Sequence, residues 1–212
     1  IGWGTFVARS AVERQSRLDE PGWTGQGEVW ELDGRWWRER PRVGVAFVAP
    51  RPGWWPGVWH VAGFAETQTY ALGASTTQES QTHAGVGVTD WPTAHVRYSI
   101  AASTDRWGDR VLAGLGAGIE RRWFADRLSL TGAVRQWVPL SAPDPFRTAM
   151  TRVTFRSALE PRAWSVSTSV TARAATAAAP LSLWPGAGEG HAREDLLRAH
   201  PLIHRGIING PA

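Results

Sequence analysis

The chain has 212 residues, 23 of them basic and 19 acidic, with no cysteine and 14 tryptophans. The absence of cysteine excludes disulfides and thiolate metal sites. No apolar run approaches the roughly 18 residues that a transmembrane helix requires, which excludes a helical membrane protein. Every basic residue is an arginine, and the arginines are spread singly along the chain. No nucleic-acid-binding stripe is therefore indicated, and nucleic acid is not an expected partner.

Ten segments of alternating apolar and polar residues are predicted to form strands, because a strand turns successive side chains to opposite faces. The first segment is polar, and the Ala-rich end of the last one, up to Ala179, is open to a helical alternative. The predicted strands cover about residues 5–18, 28–37, 42–49, 57–71, 76–89, 95–104, 110–122, 128–140, 146–159 and 164–175. The predicted turns and loops lie at residues 19–27, Pro41, 50–56, Gly73, 90–92, 105–109, 125–127, 141–145 and 160–162.

The clearest pattern is a hairpin in residues 110–140, where two alternating stretches flank a polar corner at residues 125–127. Val111, Leu115 and Ile119 fall on one face of the first stretch, opposite glycines and charged residues. Soluble strands usually have about five or six residues, whereas a tilted strand that crosses a bilayer needs about ten. The predicted fold is therefore all-β, an antiparallel up-and-down transmembrane β-barrel.

The two faces of these strands differ in chemistry. In a soluble sheet a polar face would point to water, and in a barrel of this size it would point into a wet lumen where Arg and Glu can pair. Alternation alone does not separate the two, and strand length favours the barrel. The residues predicted to face lipid are Val111, Leu115, Ile119, Leu128, Leu130 and Val134. The charges predicted to face the lumen are Arg97, Glu120, Arg122, Arg135, Arg152, Arg156 and Arg173.

Most tryptophans lie at or near a predicted strand end. Tryptophan settles at membrane–water interfaces, and membrane barrels carry aromatic girdles at both rims. The alternative is that these rings cap a soluble core. The predicted interface aromatics are Trp91, Trp107, Trp123, Trp137 and Trp164.

No catalytic motif is recognised in the chain. The glycines of residues 114–118 resemble a dinucleotide fingerprint, but no helix follows them and the third glycine is misplaced. His200 and His204 are four residues apart without an HExxH motif, so they predict no metal site. No nucleophile elbow is present either. We expect neither an enzyme nor a bound cofactor or metal.

A long, glycine-rich and charged segment, residues 180–201, follows the short-turned meander and predicts a functional loop. Its motif residues are Gly186 and Gly188, followed by Leu197, Arg198, Ala199 and His200. With the preceding meander, this segment resembles the bacterial surface-antigen barrels, whose members include the BamA/TamA-type assembly factors. Arg198 and the aliphatic residue before it match the family motif, whereas Ala199 and His200 replace a glycine and an aromatic residue.

The resemblance implies a location in the bacterial outer membrane and a role in inserting or translocating proteins there. The implied partners are the lipid bilayer and unfolded outer-membrane client proteins. It also implies that Arg198 points into the lumen and that the ten strands are an internal section of a larger barrel. In that division, residues 1–179 are barrel strands, residues 180–206 are a lumen- or surface-directed loop, and residues 207–212 begin a further, truncated strand.

Two other functions stay open. The first is a porin-like or receptor barrel for small solutes, which a constricting loop with paired lumen charges would favour. The second is a soluble β-rich binding module, which protein covering both faces of the sheet would favour.

Overall fold

The computed structural model describes residues 10–22, 25–38, 40–50, 56–72, 75–140, 144–158, 165–184, 203–204 and 207–208. Ten antiparallel strands form one sheet in which each strand pairs with its neighbours in sequence. The strands are β1 (Gln15–Pro21), β2 (Val29–Trp37), β3 (Arg40–Pro50), β4 (Val58–Leu72), β5 (Ser75–Thr93), β6 (Val96–Trp107), β7 (Arg110–Trp123), β8 (Leu128–Pro139), β9 (Phe146–Arg156) and β10 (Ser167–Ala175). A 3-10 helix, Leu181–Leu183, follows β10, and a separate pair is formed by β11 (Ile203–His204) and β12 (Ile207–Ile208).

The all-β, up-and-down antiparallel prediction is confirmed. Within the described residues, β1 and β10 each pair with a single strand, so the sheet has two edges and is not closed. None of the described helical segments is long and apolar enough to cross a membrane.

The two faces of the sheet separate as the alternation predicted. We call the face that carries the buried Leu112, Asp105 and Trp137 the inner face, and the opposite one the outer face. Leu115 and Ile119 lie on the outer face and are 63% and 58% exposed. The predicted apolar and polar sets therefore do lie on opposite faces of the hairpin β7–β8.

Several strand boundaries differ from the prediction. Residues 10–13 are helical and β1 begins only at Gln15, so the predicted first strand is wrong at residues 10–14, and its residues 5–9 lie outside the described residues. Asp19, Glu20 and Pro21 were assigned to a turn but continue β1, paired with β2. Pro41 does not mark a turn, because it pairs with Trp36 near the start of β3.

At the middle of the chain the strands are longer than predicted. Residues 90–92 belong to β5, with a register shift between Asp90 and Thr93, and the chain reverses at residues 94–95. A bulge of this kind tolerates Pro92, which has no N–H to donate to the ladder. Residues 105–107 extend β6 because they pair with both β5 and β7. Strands β9 and β10 are shorter than predicted, and the Ala-rich tail leaves the sheet after Ala175.

The inner face is concave near one end of the sheet. Trp107 on β6 and Phe146 on β9 lie three strands apart, which is about 14 Å in a flat sheet. Their ring centroids are 5.7 Å apart, and Leu112 on β7 is fully buried in the same cluster. The side chains therefore converge, as expected of the concave side of a curved sheet.

The segment after β10 turns back over this concave face. We call residues 176–184 the strap, and the end of the sheet where β6 meets β7 the strap end. Ala179 joins the buried aromatic cluster, and Trp184 packs against Tyr70 of β4. The strap thus reaches from one edge strand, β10, across the inner face to β4.

Candidate functional site: the inner face of the sheet

The first feature of the inner face is a buried carboxylate held between two arginines. Glu120 on β7 is 8% exposed and lies opposite Arg97 of β6 in the strand register. Arg97 donates to one oxygen of Glu120, and Arg122 Nε donates to the other over 2.5 Å. Glu120 and Arg122 share a face because they are two positions apart on β7. Arg97 lies on the same face because it is paired with Glu120 in the register of β6 and β7. All three had been predicted to share one face.

A second charged group lies on β2, β3 and β4. Arg42 donates to Asp33 over 2.9 Å and to the buried Glu66 over 3.1 Å. The Arg35 guanidinium lies 3.7 Å from the same Glu66 carboxylate. The sequence analysis did not single out these residues, although the alternation within each segment indicates which of its residues share a face.

A third group centres on Asp105, which is 1% exposed. Ser103 Oγ donates to Asp105 Oδ2 over 2.7 Å, and the Trp137 indole donates to the same oxygen over 2.9 Å. His83 Nδ1 lies 2.6 Å from the other oxygen, Oδ1. Trp137 is on β8 and reaches Asp105 on β6 across Gly114 of β7, where a Cβ would lie 3.1 Å from the indole nitrogen.

At the strap end, aromatic packing covers the inner face, and hydrogen bonds hold the strap against it. Trp137 stacks on Phe146 with ring centroids 4.8 Å apart, and Trp107 meets both rings edge-on. The Trp107 indole donates to Ser182 Oγ over 2.9 Å. Glu79 on β5 accepts the backbone N–H groups of Leu181 and Ser182 over 3.1 and 2.8 Å.

This packing corrects the prediction for two of the interface aromatics. Trp107 and Trp137 are 4% and 2% exposed and point to the inner face, so they do not belong to an outward-facing girdle. The reason is that β6 continues past its predicted end, which puts Trp107 in register with the inward residues. Trp91 and Trp123 lie at the opposite end of the sheet, beside Arg97 and Arg121 respectively. Trp164 lies outside the described residues.

The remaining predicted lumen charges lie on the inner face but do not join one site. Arg152 donates from Nε to Thr171 Oγ1 over 3.1 Å. Arg156 and Arg173 alternate with outward-facing residues on β9 and β10 and are exposed. The loop motif of Gly186, Gly188, Leu197, Arg198, Ala199 and His200 lies outside the described residues.

The middle of the inner face holds a cavity of about 250 Å³. Gly85 and Gly87 of β5 form part of its floor, and His60, His83 and Arg135 are among its lining residues. Small inner-face residues of β5 and β6, such as Gly87 and Ala101, leave this space open.

Asp105 and Glu79 were also missed as residues of the inner face. Asp105 was assigned to a turn, and a longer β6 would have placed it inward, two residues after Ser103. No local signal identifies Glu79, since its partners lie about 100 residues later in the chain.

Among the described residues, no group of three or more His, Asp or Glu side chains is placed to hold a metal ion. Comparisons of the chain with protein-family models, curated proteins and solved structures found no match.

Proposed function

We propose that the ten strands form part of the wall of a transmembrane β-barrel in the bacterial outer membrane, with the inner face towards a wet lumen. One observation carries this proposal: charged side chains are buried on the inner face of the sheet, and apolar side chains are exposed on its outer face. Glu120 and Asp105 are 8% and 1% exposed, whereas Leu115, on the same strand as Glu120, is 63% exposed. Membrane barrels have this polarity, with apolar residues outward and a polar interior.

The strand lengths support the same proposal. Strands β3 to β9 have between 11 and 19 residues, and a tilted strand needs about 9–11 to cross a bilayer. At the strap end, three connections, at residues 38–39, 73–74 and 108–109, have two residues each, and the fourth, at residues 140–145, has six. At the other end, the connections at residues 22–28, 51–57 and 157–166 have seven to ten residues, whereas those at residues 94–95 and 124–127 have two and four. Because membrane barrels have short periplasmic turns, we place the strap end on the periplasmic side.

For the activity, we propose the one that the family resemblance implies, the insertion or translocation of proteins at the outer membrane. The edges of the described sheet support a section of a larger barrel. Unpaired backbone groups at β1 and β10 would each cost several kcal/mol in lipid unless further strands pair with them. In this proposal the bilayer and unfolded client proteins are the partners.

The passage of small solutes is the second candidate, favoured by a specific observation. The strap lies across the inner face, where Trp184 packs against Tyr70 of β4, and the inner-face charge on the same strand, Glu66, is paired with Arg42. A constriction with paired charges suits a selective pore for small solutes. The soluble module is disfavoured by the outer face, on which no described residue covers Leu115, Ile119 or Val134.

The membrane assignment is tested by Leu115→Arg, near the middle of β7. In lipid, an outward arginine at mid-depth costs about 2–4 kcal/mol of folding free energy. In a soluble sheet, the same change at an exposed leucine costs no more than about 0.5 kcal/mol. The measurement is the folded fraction in lipid vesicles, from the heat-modifiable mobility of the protein in gels.

Phe124→Arg is the matched control, because Phe124 is 74% exposed but lies in the turn after β7. We expect this variant to fold like the parent. If Leu115→Arg also folds like the parent, the outer face does not contact lipid.

The two activities are separated with the full-length protein in vesicles. Catalysed insertion of an unfolded outer-membrane protein, without uptake of small sugars in a vesicle-swelling assay, supports assembly. Swelling without client insertion supports solute passage and rejects the assembly function.

A further inference from the structure

Basic side chains line the central cavity of the inner face, and none of its described lining residues is a carboxylate. His60, His83 and Arg135 border the cavity, together with Ser99. Asp105, which contacts the lining residue His83, has its two oxygens engaged by His83, Ser103 and Trp137. The cavity is therefore open to an anion and offers donors to it.

Arg135 differs from the arginines that hold the inner-face carboxylates. Arg97 and Arg122 hold Glu120, and Arg42 holds Glu66 and Asp33. Within the described part of the chain, the guanidinium of Arg135 has no hydrogen bond or ion pair, and its Cζ lies 5.3 Å from the centroid of the Trp137 ring.

The Arg135 side chain lies over a glycine of β7. Arg135 pairs with Gly116 across the β7–β8 ladder, and a Cβ on Gly116 would lie 3.6 Å from Arg135 Cγ and 3.7 Å from Nε, which is ordinary van der Waals contact. The side chain therefore extends from β8 across β7. In this position Arg135, from β8, borders a cavity whose floor is formed by β5 and β6.

We propose that this cavity is a binding site for a small oxyanion, a carboxylate or a phosphate, with Arg135 as its principal ligand. A guanidinium presents a planar fork that binds two oxygens of such a group at once. His60 and the Ser99 hydroxyl supply further donors at the rim. The volume of about 250 Å³ is below the roughly 300–1,000 Å³ of pockets for drug-sized molecules, so the ligand is small.

The site does not require the sheet to lie in a membrane. The inference rests on the inner face alone, and it would apply equally to a soluble sheet. Its failure and the failure of the membrane assignment are distinguishable, because Leu115→Arg tests only the outer face.

The experiment is isothermal titration of the folded full chain in detergent with sodium phosphate and, separately, with sodium acetate at fixed ionic strength. We expect saturable binding of at least one of the two anions, and the comparison tells phosphate from carboxylate. Replacing Arg135 by Gln removes a charge-assisted contact and should weaken binding about tenfold or more. Arg135→Lys should retain part of the affinity.

Arg121→Gln is the matched control, because Arg121 lies over Trp123 at 5.2 Å on the outer face of the same hairpin. Its affinity should equal that of the parent. Ala62→Leu, which fills the cavity without changing a charge, should also weaken binding and covers the case in which Arg135→Gln does not fold. The absence of saturable binding to either anion, or parental affinity in Arg135→Gln or Ala62→Leu, overturns the proposal.

Discussion

Trp137 donates its indole N–H to Asp105 Oδ2 over 2.9 Å, although the two residues lie on strands separated by β7. The contact ties β6 to β8 on the inner face and satisfies part of a buried carboxylate. It exists because the intervening position, Gly114, has no side chain.

Trp137→Phe should lower the free energy of unfolding by about 1–3 kcal/mol. Phenylalanine keeps the aromatic packing against Phe146 but leaves the buried Asp105 with one donor fewer. The measurement is a denaturant titration of the folded chain. Trp123→Phe, at the other end of the sheet, is the control and should stay within about 0.5 kcal/mol of the parent. Equal effects of the two variants would contradict a special role for the Asp105 contact.

Gly114→Ala should destabilise the sheet, whereas Gly132→Ala should not. A Cβ at Gly114 would lie 2.4 Å from Ser103 Oγ, and that hydroxyl is held by Asp105, so it does not move away freely. We expect a loss of about 1–3 kcal/mol, as for overpacking of a core. A Cβ at Gly132 of β8 meets nothing within 4 Å. A thermal or denaturant melt of both variants checks the difference, and a neutral Gly114→Ala would show that the groups around Asp105 rearrange easily.

Glu120→Gln should cost about 1–3 kcal/mol, because it removes the negative charge between Arg97 and Arg122. Both guanidinium groups are more than a third exposed, which limits the penalty through solvent screening. Glu31→Gln is the control, since its partner Arg17 is 59% exposed and such surface pairs contribute about 0–1 kcal/mol. Unfolding free energies of the two variants give the comparison. If Glu31→Gln costs as much as Glu120→Gln, burial does not strengthen the central pair.

Glu79→Gln should loosen the strap without unfolding the sheet. The carboxylate accepts the backbone N–H groups of Leu181 and Ser182 through its two oxygens, and an amide offers only one acceptor oxygen. Hydrogen exchange at these two amides should accelerate about tenfold, the effect of losing roughly one hydrogen bond. Glu20→Gln on the exposed edge strand β1 is the control. Unchanged protection in Glu79→Gln would mean that the aromatic contacts alone hold the strap.

The amino-acid sequence by itself determined the class of the fold and the two faces of its central hairpin. Leu115 and Ile119 were predicted to oppose Glu120 and Arg122, and they do. This could be read locally, because successive side chains of any strand point to opposite faces. The pairing of consecutive strands followed from short connections, which bring antiparallel neighbours together.

Tertiary structure alone decided where β6 ends, which face Trp107 takes and which residues the strap meets. Asp105 and Trp107 lie in a segment that ends in turn-forming residues, and their strand conformation comes from ladders with β5 and β7 on both sides. The Ser182 contact with Trp107 joins residues 75 positions apart. No local pattern encodes such a contact, because it depends on the curvature of the sheet and on glycines that clear space for neighbouring strands.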